Sequence, residues 1–341
     1  MTGSRYGLYL CSQHPDTDDP GVRFGELVEQ VRLARDVGFD SIWAGEHHVP
    51  APFHYFTQFP LLARLSADAG EMTVGTNLVL APLQHPLHVA EQGAMLDVMT
   101  GGRFVLGIGL GFRTVEFDAL GVPFAEKVSR MSEAIEVIDA LWSKDEVHHH
   151  GRHFRLDGVG IRPRPFQRPR PPIWVGATVD AAVERAAAIG DAWLMTSLPT
   201  MADLGAQVTR YRAALERHGR PFPADFPRML EVHVAADGAR ARERAGPHLL
   251  TKYAAYAEWG QRDLMPPGSD LDQPFDDLAR DRFVVGDPDE VIAGLRRQRE
   301  ELGITHVAMR VQWPGMPQSD ALACIDLLGR IVLPALRSGR P

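Results

Sequence analysis

The stretch Val31-Arg-Leu-Ala-Arg-Asp-Val-Gly-Phe-Asp-Ser-Ile-Trp-Ala-Gly-Glu-His-His48 decides the fold class. Val31, Ala34 and Val37 recur at helical spacing, and Gly38 follows directly, the residue type that most easily takes the left-handed conformation ending a helix. The run 41–45 then reads as a short buried strand, and it closes on a carboxylate and two imidazoles.

A helix passing through a tight stop into a buried strand is part of a βα repeat, and the same alternation recurs along the chain. Strand-like runs fall at 6–11, 41–45, 73–80, 104–109, 173–176, 192–196, 230–235 and 306–311. Helical patterns begin near Arg23, Gln58, Pro86, Lys127, Asp180, Met201 and Gly238, and then near Asp289 or Ser319. Alternation without a compositional break predicts an α/β fold, a closed (β/α)8 TIM barrel forming a single domain over 1–341. Two segments, 148–172 and 260–282, exceed what a plain barrel needs. The first is expected to hold a short hairpin and then a Pro-interleaved arm, extended because Pro fixes φ and restrains its neighbour. The second is expected to be a flap over the mouth.

Of the 341 residues, 45% are hydrophobic and 23% charged, the balance of a soluble globular chain. With 36 Lys and Arg against 44 Asp and Glu, the net charge of -8 gives no field to hold a phosphate backbone, so no nucleic-acid partner is expected. No apolar run approaches the roughly 18 to 20 residues that cross a bilayer, so no membrane association is expected. The apolar N-terminal run is too short for an export signal. Two cysteines far apart in sequence, Cys11 and Cys324, fit small buried residues in a reducing cytoplasm.

Barrel enzymes place their chemistry at the C-terminal ends of the strands, which singles out Glu46-His47-His48. An imidazole there transfers protons near neutral pH, and Glu46 is the carboxylate expected to fix its tautomer. No metal is expected. The position after the first strand, where a barrel metallohydrolase carries His-x-His, reads Cys11-Ser12-Gln13-His14, and His148-His149-His150 with His153 suits a solvated turn. The run Gly107-Ile-Gly-Leu-Gly111 fails as a dinucleotide loop because the position needing the third glycine is Phe112. Small residues there make room either for a planar ligand or for tight strand packing. Ile173-Trp-Val-Gly-Ala-Thr-Val-Asp180 leads from a strand into a helix start, offering free amides and the Thr178 hydroxyl as a phosphate seat or as a simple cap.

Taken together, several stretches resemble the bacterial luciferase-like flavin-dependent monooxygenases. They are Glu46-His-His48, Val74-Gly-Thr-Asn-Leu-Val-Leu-Ala-Pro-Leu-Gln-His-Pro86, Ala90-Glu91, Leu96-Asp-Val-Met-Thr-Gly-Gly-Arg-Phe104, Gly107-Ile-Gly-Leu-Gly111 and Pro171-Pro-Ile-Trp-Val-Gly176. The resemblance implies that His47 acts as acid or base beside the flavin, with Glu46 the neighbouring carboxylate already singled out. It implies a non-prolyl cis peptide at Asn77-Leu78 behind the isoalloxazine, and Gly109, among the small late-strand residues, is the position expected to leave room for the cofactor. It implies a phosphate held by Gly176, Ala177, Thr178 and Arg130. Leu110 departs from luciferase, which has a phosphate-binding Arg there, so Arg130, the helix dipole and Arg113 are left to neutralise the phosphate.

The same superfamily uses FMN or the deazaflavin F420, and Glu116-Phe-Asp-Ala-Leu-Gly-Val-Pro-Phe124 also resembles F420 users. Reduced FMN reacts with O2 to oxygenate a substrate, whereas F420 passes a hydride and ignores O2. Glu46-His47-His48 favours FMN, since F420 users often carry Asp-His there. The expectation is a two-component FMN-dependent monooxygenase supplied by a separate flavin reductase and assembled as a homodimer. The alternative is an F420-dependent oxidoreductase. A flavin-storage protein and a metal hydrolase stand further back. A small, largely apolar organic substrate is expected between Phe53, His54, Tyr55, Phe112, Arg113 and Trp313, under the flap.

Overall fold

The computed structural model describes residues 4–261 and 271–338. Eight parallel strands form a ring: β1 (Arg5–Tyr9), β2 (Ser41–Ala44), β3 (Thr73–Thr76), β4 (Phe104–Gly109), β5 (Ile173–Ala177), β6 (Ala192–Met195), β7 (Pro227–Val234) and β8 (His306–Arg310). Each pairs with its successor, and β8 pairs back to β1 with Arg5 opposite His306, which closes the barrel. The helices that begin the units start where the pattern places them: α1 (Pro20–Asp36), α2 (Gln58–Ala69), α3 (Pro86–Met99), α4 (Lys127–Ser143), α5 (Asp180–Ile189), α6 (Met201–Arg217) and α7 (Gly238–Glu258).

Local chemistry sets these limits. Asp19 caps α1 by accepting from the Val22 amide, with Pro20 at the first position, and Gly38 takes φ +90° just past the helix end. Thr200 and Asp203 form a capping box on α6. The alternative between Asp289 and Ser319 resolves into two helices, α8 (Pro288–Leu302) before β8 and α9 (Gln318–Leu327) after it. Strand ends shift by one or two residues in several places, and two strands differ more. The third breaks after Thr76 and resumes at Val79–Leu80 beyond a cis Asn77–Leu78 peptide, and the seventh starts at Pro227, three residues before the expected Leu230.

The floor of the barrel is filled by aromatic rings. Trp43 and Trp174 stack with centroids 5.0 Å apart, and His306 meets both edge-on at 5.3 Å. Gly75 is required beneath them, since a Cβ there would lie 2.0 Å from the Trp43 ring. Nε2 of His306 lies 2.8 Å from the Ser41 hydroxyl, and burial pushes its pKa down to about 3, so it packs as a neutral ring. Above this plug, the C-terminal ends of the strands line a cavity.

The 148–172 excursion holds an antiparallel hairpin, Val147–His150 with Arg155–Val159, longer than the 148–156 expected, followed by the Pro-rich arm. Its histidines face carboxylates: His149 lies 3.1 Å from Glu133, and His150 pairs with Asp157. Among the described residues no group of three metal-ligating side chains gathers, and no helix is long and apolar enough to cross a membrane. Of the expected flap, 262–270 lie outside the described residues, while 271–282 include the short helix Phe275–Ala279.

Candidate active site

The C-terminal ends of the strands enclose a cavity that runs from the start of α5 to α7. At its centre stands His47. Its Nδ1 lies 2.9 Å from Oε1 of Glu116, a fully buried carboxylate on the short helix Thr114–Ala119 after β4. Glu116 also accepts from the His48 amide at 2.9 Å and from Arg113 at 3.3 Å. Burial pushes the Glu116 carboxyl up, but the bonds from His47 and His48, with Arg113 nearby, outweigh it and hold the pKa below the ordinary value. A carboxylate facing Nδ1 puts the ring proton there and leaves Nε2 for a ligand.

Glu46 has a different task from the one expected. Its Oε2 accepts from the Leu80 amide at 2.8 Å and its Oε1 from Gln84 at 2.6 Å, so it ties the end of β2 to the segment beyond the cis peptide. Arg113 is not a wall either. It donates to the carbonyls of His48 and Val49, and its guanidinium lies 3.9 Å over the Trp259 ring, supporting the His47 loop from behind.

The Asn77–Leu78 bulge forms one side of the cavity, with the Asn77 amide anchored to the Ala44 carbonyl at 2.7 Å and Tyr9 donating to the Asn77 carbonyl at 3.2 Å. The room left by the late-strand glycines is taken by Leu78. A Cβ on Gly109 would approach its side chain to 2.7 Å, and one on Gly176 to 2.4 Å. The glycines therefore seat the bulge, and the bulge faces the cavity.

Gly176, Ala177 and Thr178 line one end, just ahead of α5, where the Ala182 amide already donates to the Val179 carbonyl at 2.9 Å and only the amides before it lie outside the intrahelical ladder. Arg130 does not reach this end. It donates to the Pro82 carbonyl at 3.1 Å and lies over Phe154. Lys127, three residues earlier on α4, lines the cavity instead, with its ammonium 3.7 Å from the Phe124 ring. Burial lowers its pKa, which favours an anionic neighbour.

Of the expected pocket walls, Tyr55 and Phe112 line the cavity, with their rings 5.3 and 5.8 Å from His47. Three others stand elsewhere. Phe53 packs behind Trp259, His54 lies 3.1 Å from the Asp18 carbonyl, and Trp313 is buried with its indole donating to Glu231 at 2.6 Å. The opposite end is built by residues not anticipated: Lys252, Tyr253 and Tyr256 of α7, Arg310 at the end of β8 and Tyr9 of β1. Tyr256 and Trp259 stack at 5.4 Å and complete an aromatic box around His47.

A phosphorylated planar cofactor suits this donor set. An open helix start and Lys127 stand at one end, a flat bulge lies between, and the buried Asn77 Nδ2 and Thr196 Oγ1 have no hydrogen-bond partner among the described residues.

The closed barrel brings a rim-mounted histidine and a helix start into one cavity, and similarity to known proteins gives its family. The luciferase-like monooxygenase profile matches residues 4–306, so the chain belongs to that family. Over 355 residues it is 25% identical to the oxygenase component of a flavin-dependent trigonelline monooxygenase from Acinetobacter baylyi, covering 98% of this chain and 96% of that one. It is 28% identical over 342 residues to an F420-dependent glucose-6-phosphate dehydrogenase from Nakamurella multipartita, covering 94% and 98%. The crystal structure of the monooxygenase RslO1 from Streptomyces bottropensis superposes with a TM-score of 0.86 at 26% identity, covering 97% and 99%.

Proposed function

We propose that this protein is the oxygenase component of a two-component system, using reduced FMN from a separate reductase and O2 to oxygenate a small organic substrate. The observation that carries the reading is His47, oriented by buried Glu116 and boxed by Tyr55, Phe112, Tyr256 and Trp259 at the centre of the cavity. When bound, reduced flavin supplies the electrons that activate O2.

The chain's own residues position and protonate. Amides at Ala177 and Thr178, with Lys127, would hold the phosphate, and Leu78 on its glycine seat would support the ring system. Asn77 Nδ2 and Thr196 Oγ1 are the unpartnered polar groups that would meet its polar atoms. Glu116 keeps Nδ1 of His47 protonated, so Nε2 accepts a proton from the substrate and returns it. The aromatic box excludes water, which strengthens each of these interactions. The relative named as the oxygenase component of a monooxygenase supports the separate reductase. Exposed Met95, Val98 and Met99 on α3 support pairing of two copies through barrel helices.

A second reading, an F420-dependent oxidoreductase, is favoured by the 28% identity to the glucose-6-phosphate dehydrogenase. It uses the same phosphate seat and the same histidine without O2. Anaerobic titration with reduced FMN and, separately, reduced F420, followed by O2, separates the two. Binding of reduced FMN with O2 uptake that a His47→Ala variant alters supports the oxygenase. Binding of F420 alone, indifferent to O2, supports the second reading, and binding of neither refutes both.

A further inference from the structure

The α7 end of the cavity is built for charge. Glu231 on β7, Lys252 on α7 and Arg310 on β8 are all at least 97% buried, at 0%, 3% and 2% exposure. Glu231 is saturated by donors. One of its oxygens accepts from the Lys252 ammonium and, at 3.2 Å each, from Tyr253 and Ser197, and the other accepts from Trp313. That leaves Arg310. Its guanidinium stands 5.2 Å from the Tyr9 ring, bonds the Tyr256 hydroxyl and lines the cavity, yet Nε and Nη2 find no hydrogen-bond partner among the described residues.

Two buried cations therefore share one carboxylate, and arginine cannot shed its proton to relieve the excess. The two free donors are the adjacent pair on one edge of the guanidinium, a fork that matches the two oxygens of a carboxylate. The fork also stands close to the proposed reaction centre. The Tyr256 ring lies 5.2 Å from the Lys252 ammonium and 6.1 Å from the His47 ring, so one aromatic ring separates the cations from the imidazole.

We propose that Arg310, with Lys252 as the second charge, is a subsite for a carboxylate on the substrate, so that the substrate is an organic acid whose apolar body reaches toward His47. The substrate class rests on the oxidoreductase reading above, but the subsite does not. A single positive charge left uncompensated in a buried pocket selects an anion whether or not a flavin is bound.

Benzoate and its neutral isostere benzamide serve as probes in calorimetric titration of the full chain, with and without FMN. Benzoate is expected to bind at least about tenfold more tightly than benzamide, as a charge-assisted bidentate pair does. Arg310→Met removes that preference, Arg310→Lys restores part of it, and neither changes FMN affinity. Wild-type protein gives a check that needs no variant. Lys252 is lowered by burial to about 8 while Glu231 raises it, and Arg310, Cys11, Tyr253 and Tyr256 also face it. Above that pH the ammonium is lost, so benzoate affinity falls while benzamide affinity stays level. Equal affinities for the two probes, a flat benzoate profile across that range, or loss of FMN affinity in Arg310→Met with the benzoate preference retained would overturn the proposal. Failure of FMN and F420 to bind wild-type protein sinks the flavin reading instead and leaves the benzoate preference to be judged by itself.

Discussion

Two carboxylates, Glu116 and Glu231, are both buried at the rim of one barrel, and they do opposite work. Glu116 faces an imidazole and fixes which of its two nitrogens carries the proton. Glu231 faces a lysine and indole, phenol and hydroxyl donors, and it holds a cation in place without changing state itself. The first arrangement suits proton movement and the second suits fixed charge. Their separation by the single Tyr256 ring lets one cavity anchor a ligand at one end and react with it at the other.

The comparison can be broken from either side, and the largest effects belong to the proton-moving pair. Replacing His47 with Ala is expected to lower turnover by about 10²- to 10⁴-fold, the usual contribution of a positioned acid or base, with cofactor affinity retained. Steady-state kinetics beside a cofactor titration checks this, and loss of binding without loss of turnover per bound cofactor would contradict it. On the fixed-charge side, Glu231→Gln leaves Lys252 and Arg310 buried without a counter-charge and is expected to cost about 3 to 5 kcal/mol in denaturant unfolding. A neutral result there would mean that the cations are solvated in the free protein.

Protonation supplies a smaller test. Burial pushes His233 down to about 4 and His306 down to about 3 in the folded state, below the ordinary histidine value. The unfolded chain therefore binds protons first as pH falls. The stability these neutral rings give is complete above about pH 6.5 and drains away through the range toward 4 and then 3. Thermal melts across this range are expected to show that loss, and His306→Gln to show less of it. The smallest contrast lies on α4. Lys127→Ala is expected to weaken binding of a phosphorylated cofactor by about tenfold, as loss of one charge-assisted contact does. Arg130→Ala, which removes a group bound to the Pro82 carbonyl, should leave that affinity nearly unchanged.

What could be read beforehand follows from which features are local. The barrel was legible because each βα unit carries its own period and stop signals, as in the 31–48 stretch. His47 was legible because strand ends are where barrels carry chemistry, and Asn77–Leu78 because its neighbours resemble a family. The pairing of Glu116 with His47 was not, because that bond spans 69 residues and exists only once β2 and β4 lie in one ring. Arg130 and Lys127 differ by less than one helical turn, and that turn decides which faces the cavity. The helix at Gly238 reads like any barrel helix, yet it brings Lys252, Tyr253 and Tyr256 to the mouth, while α8 makes the crossover to β8. One signal was available. Glu231 and Arg310 are charges in short strands that also hold Met, Leu, Val and Ala, and a charge in such a place is rarely there without a partner or a task.

The central claim is that Glu116 sets His47 to present a bare Nε2 to the cavity, and the nitrogen NMR shifts of the His47 imidazole at neutral pH test it most directly. The account predicts the Nδ1-protonated tautomer in the wild-type protein, and a shift toward the other tautomer or a mixture in Glu116→Gln. A wild-type ring protonated at Nε2, or one that Glu116→Gln leaves unmoved, would contradict it.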